Sequence, residues 1–423
     1  MSSTERRAAG SAGVFTEAVA IDAVAAGGDG IGRLADGRVV FVTGALPGER
    51  ADVEVVESRR DFARGGVVRL LQRAPARVDP PCPNVALGCG GCGWQHVDSS
   101  WAAGRLKAAV VANALRRAGT DLSPVEVSPP TTQPAPTTLP LMGYRTTARM
   151  AVGAQGRLGY HRRRSAASVV VDHCLVAHPL LDDLIGVVRV SGASEVTLRI
   201  GVAGGERLVV VRPDGASPPR VAVPDGVGVV GPGERAWVHE EVGGRRWRVS
   251  ARAFFQAGPA GADAVVSAVD AAIGDALGPG GTLVDAYAGV GVIGGVMAWR
   301  RGAALVAIEA GAEAADDARR NLGDLDARVV EREVGRWAAD GRAVDVVVAD
   351  PARSGLGRPG VASLAAARPA RLVLVSCDPA SLGRDAALLA IAGYRLSRVQ
   401  VVDILPGTPH IEAVSRFDLG RPR

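Results

Sequence analysis

Between residues 13 and 75 apolar and polar positions alternate in short runs, FTEAVAI, RVVFVTG, ADVEVVE and GGVVRLL, broken by GGDGIG, LPGE and an arginine-bearing turn. Period-two alternation with glycine-rich breaks predicts strands, and the set predicts a small β-barrel. Such barrels often bind oligonucleotides across one face, although fold alone does not establish function. Apolar positions at Trp101, Leu106, Val110, Val111 and Leu115 then predict a helix over 99–118, stopped at Gly119. Residues 122–140, LSPVEVSPPTTQPAPTTLP, are too rich in proline and threonine for a packed element and predict a linker or long surface loop.

From 141 to about 250 the pattern is again β, in TTARMAV, SVVVDHC, EVTLRI, RLVVVR, AWVHEEV and RWRVS. After Ala251 strands alternate with helices: TLVDAYA, ALVAIEA, VDVVVAD and RLVLVSC are each followed by helical sequence. That alternation predicts an α/β, doubly wound and mostly parallel sheet, with ligands at the carboxyl ends of its strands. Three domains are expected: a barrel at 1–75, a β-rich central domain at 76–250 onto whose catalytic neighbour helix 99–118 packs, and an α/β domain at 251–423.

The chain has 423 residues, 47% hydrophobic and 22% charged, which excludes a small disulfide-stapled module and a largely disordered chain. No run of 18 uncharged apolar residues occurs, and residues 1–15 lack an apolar signal core, so a cytoplasmic, soluble protein with no membrane segment is expected. The net charge is +5, nearly all of the basic side being arginine, since Lys107 is the only lysine. Clusters at Arg59–Arg60 and Arg162–Arg163–Arg164 are candidates for neutralising phosphates.

Five cysteines, an odd number, argue against a disulfide framework. Three crowd into Cys82-PNVALG-Cys89-GG-Cys92, and Cys174 is the natural fourth ligand. Four thiolates suit either zinc or an iron–sulfur cluster. Further along, Asp285-AYA-Gly289-V-Gly291-VI-Gly294 is a GxGxxG opening a helix, with Glu309 closing the next strand. Glycines allow backbone to approach a ligand closely, and a carboxylate at that strand end can accept from ribose hydroxyls, so a nucleoside-cofactor site is expected. Asp350-PAR-SG places a carboxylate and the Arg353 guanidinium at one rim. Cys377 stands between a strand and a helix whose first turn suits Pro379, where the positive helix end favours thiolate. Glu412 lies in an apolar strand-like segment, where an ionised carboxylate is costly without a purpose.

Taken together, GGDGIGR…LPGE, CPNVALGCGGCGWQHV, GYRTTARMAV, FFQAG, DAYAGVG, DPARSG, VSCDP and LPGTPHIE resemble the RNA 5-methyluridine methyltransferases, the branch with an N-terminal TRAM barrel and an iron–sulfur cluster. The resemblance spans nearly the whole chain. It implies a Rossmann-like class I S-adenosylmethionine-dependent methyltransferase domain, with a TRAM/OB-like barrel and a β-rich central domain before it. It implies a [4Fe–4S] cluster on Cys82, Cys89, Cys92 and Cys174, and S-adenosyl-L-methionine contacts from Gln256, Tyr287, Glu309 and Asp350 beside Gly289 and Gly291. It further implies Cys377 as nucleophile, Glu412 as base, Arg353 toward the substrate, and RNA as partner, ribosomal RNA with transfer RNA as the alternative; a monomer is expected.

Three positions depart from that family: Ala352 replaces a proline, Gly258 an asparagine, and Asp378 an asparagine beside the nucleophile. A carboxylate at 378 is expected to raise the Cys377 pKa unless Arg353 or Arg384 offsets it. The first cysteine spacing is also one residue longer than in the best-known members. Two other functions compete: a non-catalytic RNA-binding or assembly factor, and an NAD-dependent oxidoreductase resting on GxGxxG and Glu309.

Overall fold

Five short strands close the N-terminal segment into a barrel: Phe15–Val24, Gly30–Arg33, Val39–Thr43, Arg50–Ser58 and Phe62–Gln72. Inward Val19, Ile21, Val40, Val42, Val53 and Val55 fill it, matching the period-two pattern. The second strand falls inside GGDGIGR, which the pattern alone gave as a break. Glycine is needed there, because a Cβ at Gly32 would stand 2.4 Å from the Ala20 carbonyl oxygen of the neighbouring strand. The computed structural model describes residues 14–99, 102–123, 125, 127–129, 139–215 and 218–420. Trp101, most of the proline-rich stretch and residues 1–13 lie outside them.

The expected 99–118 helix runs Ala102–Arg117, and Gly119 follows with φ of +81°. It packs on the catalytic domain, against helix Pro379–Ile391 and strand Tyr394–Val402. The stretch read as a linker also contributes: Val127–Ser128 adds an edge strand beside Val399–Gln400. The central domain is built on a six-stranded sheet, with Thr147–Val152, Glu195–Ile200 and Arg207–Val211 at its middle. A separate hairpin, Trp237–Val242 with Arg245–Ser250, buries Val242 and Trp247 in the core of the catalytic domain.

The catalytic sheet runs, in spatial order, Ala327–Glu331, Ala304–Glu309, Thr282–Ala286, Val346–Ala349, Arg371–Ser376, Glu412–Leu419, Tyr394–Val402 and the short edge strand. The first five are mutually parallel, Glu412–Leu419 runs against them, and Tyr394–Val402, antiparallel to Glu412–Leu419, runs with them again. Val346–Ala349 is apolar and buried throughout, and Thr282–Ala286 is buried from Leu283 onward, as a sheet covered on both faces requires. Among the described residues no helix is long and apolar enough to cross a membrane.

Candidate active site

The strand Thr282–Ala286 delivers Tyr287 into the glycine loop with φ of +65°, a conformation that side chains seldom adopt. Gly289 and Gly291 follow at +57° and +93°, and helix Val292–Arg301 starts. Gly294 lets that helix press on the strand: a Cβ there would meet Asp285 at 2.6 Å. The Gly294 N–H donates to Asp285 Oδ2 at 2.8 Å. Asp285 is buried, and desolvation pushes its carboxyl up to about 7.

A cavity opens at these strand ends, walled by Phe254, Phe255, Gln256, Asp285, Tyr287 and Asp350 with the loop from Ala288 to Val290. Gln256 Nε2 donates to Asp350 Oδ2 at 3.3 Å. Of the six residues expected at a cofactor, Gln256, Tyr287, Gly289 and Asp350 line this cavity, while Gly291 and Glu309 lie outside its lining. Glu309 instead accepts from the backbone N–H of Gly289 at 2.8 Å and of Gly311 at 2.6 Å, so one oxygen braces the glycine loop and the other its own following turn. Asp285, not expected as a site residue, is signalled only by its burial beside a glycine.

Cys377 follows the last residue of strand Arg371–Ser376, and Pro379 starts the next helix. The helix end does not produce a thiolate: burial, with the Glu412 and Asp350 carboxyls, pushes the thiol up to about 11, and Arg353 is the cation that opposes them. Asp378 has no part in that shift. Its carboxylate accepts the Ser381 N–H at 2.8 Å and caps the helix, a role an aspartate fills well at that position. Nor does Arg384 face the thiol; it donates to Asp385 and to the Ser354 carbonyl. Asp385 in turn accepts from the Leu356 and Gly357 N–H groups, fixing the loop that carries Arg353.

Glu412 opens the neighbouring antiparallel strand and is buried. Its Oε1 and the Ser376 hydroxyl are enclosed without a hydrogen-bond partner, and such orphaned polar atoms point to a ligand that completes them. Burial and the nearby Asp350 charge hold the Glu412 carboxyl far above the usual range, and burial raises Asp350 to about 7. The loop from Asp403 to Ile411 that leads into Glu412 is held from four sides. Lys107 Nζ, wholly buried, meets Asp403 at 2.7 Å; Tyr144 Oη donates to the Pro406 carbonyl; the Trp94 N–H donates to the Gly407 carbonyl; and Pro409 packs against Gly28 of the barrel.

Cys82, Cys89, Cys92 and Cys174 are free thiols around one cavity shared with Arg145 and Tyr160. Gly90 is required by contact rather than by turn geometry, since a Cβ would meet the His161 carbonyl oxygen at 2.6 Å. Burial pushes the Cys92 thiol up to about 11 and raises Cys89 as well. Among the described residues no three His, Cys, Asp or Glu side chains gather as ligands of a single metal ion. The four thiols line one small enclosed space, and soft sulfur donors of this kind suit a zinc ion or an iron–sulfur cluster alike.

Residues 16–68 match the TRAM domain family, on the barrel. An uncharacterized RNA methyltransferase of Streptomyces coelicolor is 36% identical, over 94% of this chain and 91% of its own length. One of Gloeobacter violaceus is 33% identical, over 95% of this chain and 96% of its own. The chain belongs to this family of RNA methyltransferases. The solved Pyrococcus abyssi tRNA (uracil-54, C5)-methyltransferase, in complex with S-adenosyl-L-homocysteine, covers 94% of this chain and 99% of its own with a TM-score of 0.68. At 22% identity that likeness is one of fold.

Two expectations about this RNA methyltransferase change with the structure. Arg163 and Arg164 do not stand free for phosphates: both reach Asp29, and Arg163 also donates to the Gly27 carbonyl, clipping the central domain to the barrel. Gly258, where relatives in the resemblance carry asparagine, has no room for a side chain, because a Cβ would lie 2.2 Å from the Tyr144 carbonyl oxygen. Helix Pro259–Ile273 begins directly after it.

Proposed function

We propose that this RNA methyltransferase uses S-adenosylmethionine to methylate C5 of uridine in structured RNA, with large-subunit ribosomal RNA as the substrate and transfer RNA as the alternative. The observation that carries the reading is the facing of Cys377 and Glu412 at the strand ends, beside an Asp350 that also walls the glycine-loop cavity. Gln256, Tyr287, Gly289 and Asp350 would hold the cofactor there, with Glu309 and Gly291 shaping the loop. The cofactor, when bound, supplies an electrophilic methyl on sulfonium.

Cys377 loses its thiol proton to solvent, while the Asp350–Glu412 pair, which cannot carry two charges cheaply, holds one shared proton and keeps one basic site free. The thiolate adds to uracil C6, making C5 nucleophilic enough to take the methyl. Glu412 then removes the C5 proton, the C5–C6 double bond re-forms, and the sulfur–carbon bond breaks to return Cys377. Arg353 stabilises the thiolate and the enolate oxygen charge. The base must leave its stack to reach this site, so a flipped nucleotide from a loop is the substrate form.

Cys82, Cys89, Cys92 and Cys174 would hold a [4Fe–4S] cluster, which supplies a covalent tie between the 82–92 segment and the central domain. The barrel at 1–75 takes RNA, 76–250 forms the cluster-bearing middle, and 251–423 does the chemistry. Nucleoside mass spectrometry of unmodified ribosomal and transfer RNA, after incubation with protein and S-adenosylmethionine, tests the reading. Appearance of 5-methyluridine in one pool supports it and names the RNA class. If neither pool gains it while S-adenosylhomocysteine still binds, the chain is an RNA-binding factor on a methyltransferase scaffold.

A further inference from the structure

A cleft of about 510 Å³, away from the cofactor cavity, opens on the face of the central sheet. Strand register builds it. Thr197 pairs with Arg149 and Arg199 with Thr147, while Val196, Leu198 and Ile200 turn the other way into the core. Period two therefore puts Arg149, Thr197 and Arg199 on one face. Arg212 extends the adjoining strand, and Arg252 closes the rim from the catalytic side, two residues before Phe254 of the cofactor cavity.

Arg199 is the floor of this cleft, with 5% of its surface exposed. Its Nη1 donates to the Ser250 carbonyl at 2.7 Å, yet its Nε is enclosed with no partner. The charges of Glu240, Glu313 and Asp317 already reach this guanidinium, so what the cleft leaves open is the Nε donor, which a polar or anionic ligand would complete. Around it the two carboxylates of the lining are already engaged: Glu195 accepts from Arg149, and Asp214 accepts from the Ser194 hydroxyl at 2.9 Å. Arg212 is exposed and forms no ion pair or hydrogen bond among the described residues. The lining holds no aromatic ring, so nothing in it stacks a base.

Guanidinium forks without a stacking platform suit phosphate oxygens in an open track rather than a nucleobase. We propose that this cleft binds the phosphodiester backbone of the substrate RNA, with Arg199 at its floor and Arg149, Arg212 and Arg252 along its rim. The proposal rests on the RNA-substrate reading above and extends it to a sequence-independent contact on the central domain.

The test is RNA binding by fluorescence anisotropy across a salt series, on the full chain, with Arg212→Glu and Arg149→Ala. Arg395→Glu, at an exposed site on a catalytic strand, makes the same charge change outside the cleft. Arg212→Glu should weaken RNA binding about tenfold and lower the slope of log K against log salt by about one, as losing a phosphate contact does. S-adenosylhomocysteine affinity should be unchanged in all three, and Arg395→Glu should leave RNA affinity within about twofold. Equal affinity and slope for Arg212→Glu and wild type would overturn the proposal. So would a site for small anions only, in which ATP or inorganic phosphate binds wild type, is lost in Arg212→Glu, and RNA affinity stays. Because binding is read without methyl transfer, a chain that makes no 5-methyluridine but loses salt slope in Arg212→Glu keeps the cleft and sinks only the reaction.

Discussion

Cys377 stands one register step beyond the Ser376–Ala413 pair, which brings it across from Glu412 on the neighbouring antiparallel strand. Burial raises the thiol, with the Glu412 and Asp350 carboxyls adding to it, and burial beside Asp350 holds Glu412 far above the usual range.

From that relationship follows a pH dependence. Attack needs a thiolate from a thiol held near 11, and elimination needs a carboxylate from a pair whose Asp350 is held near 7. Both are deprotonations of groups raised above their ordinary values, so the rate should climb as pH rises. Single-turnover methylation should increase more than about tenfold between pH 6 and 9. Arg353→Ala removes the cation that lowers the thiol and should slow the reaction about tenfold at pH 8. A flat profile contradicts this assignment of roles.

Gly258→Asn, which restores the residue of the resembling family, should harm the protein. Its Cβ would press on the Tyr144 carbonyl oxygen, and overpacking of this kind costs about 1–3 kcal/mol. A lower urea midpoint with unchanged m checks it; equal or higher stability would show that the loop relaxes.

The strand-end motifs were legible because each is local. DAYAGVGVIG, DPARSG and VSCDP are each a buried strand running into a loop, and each stands there. The strand at Gly30–Arg33 was hidden because glycines, read as turn formers, are there to let barrel strands touch. The edge strand Val127–Ser128 is too short to carry a period. What the sequence could not reveal are long-range contacts. Lys107 and Asp403 are 296 positions apart, and the arginine cleft assembles from five separate segments.

Asp403→Ala should be among the most destabilising single changes outside the core. It leaves the Lys107 ammonium fully enclosed with no counter-charge, and breaking a buried pair from one side costs about 3–5 kcal/mol. The loop leading into Glu412 loosens with it, so methylation should fall even at temperatures where the protein stays folded. Thermal unfolding and turnover measured together check both; a Tm within a degree of wild type would contradict the account of the pair.

Cys89→Ser should lose iron. Anaerobically purified wild type should be brown, and the variant should hold under a quarter of its iron by elemental analysis, whereas Cys377→Ser should keep all of it. Removing one thiolate of four weakens the site and, through Cys92 and Trp94, the contact with Gly407. Zinc without iron in the wild type would overturn the cluster.

Covalent trapping on 5-fluorouridine RNA tests the central claim most directly. Fluorine at C5 cannot leave as a proton, so Glu412 has nothing to remove and the sulfur–C6 bond persists. With S-adenosylmethionine present, peptide mass spectrometry should find the RNA attached to Cys377, and Cys377→Ala should form no adduct while keeping RNA affinity near wild type. An adduct that survives in Cys377→Ala, or one mapped to another cysteine, would contradict the account.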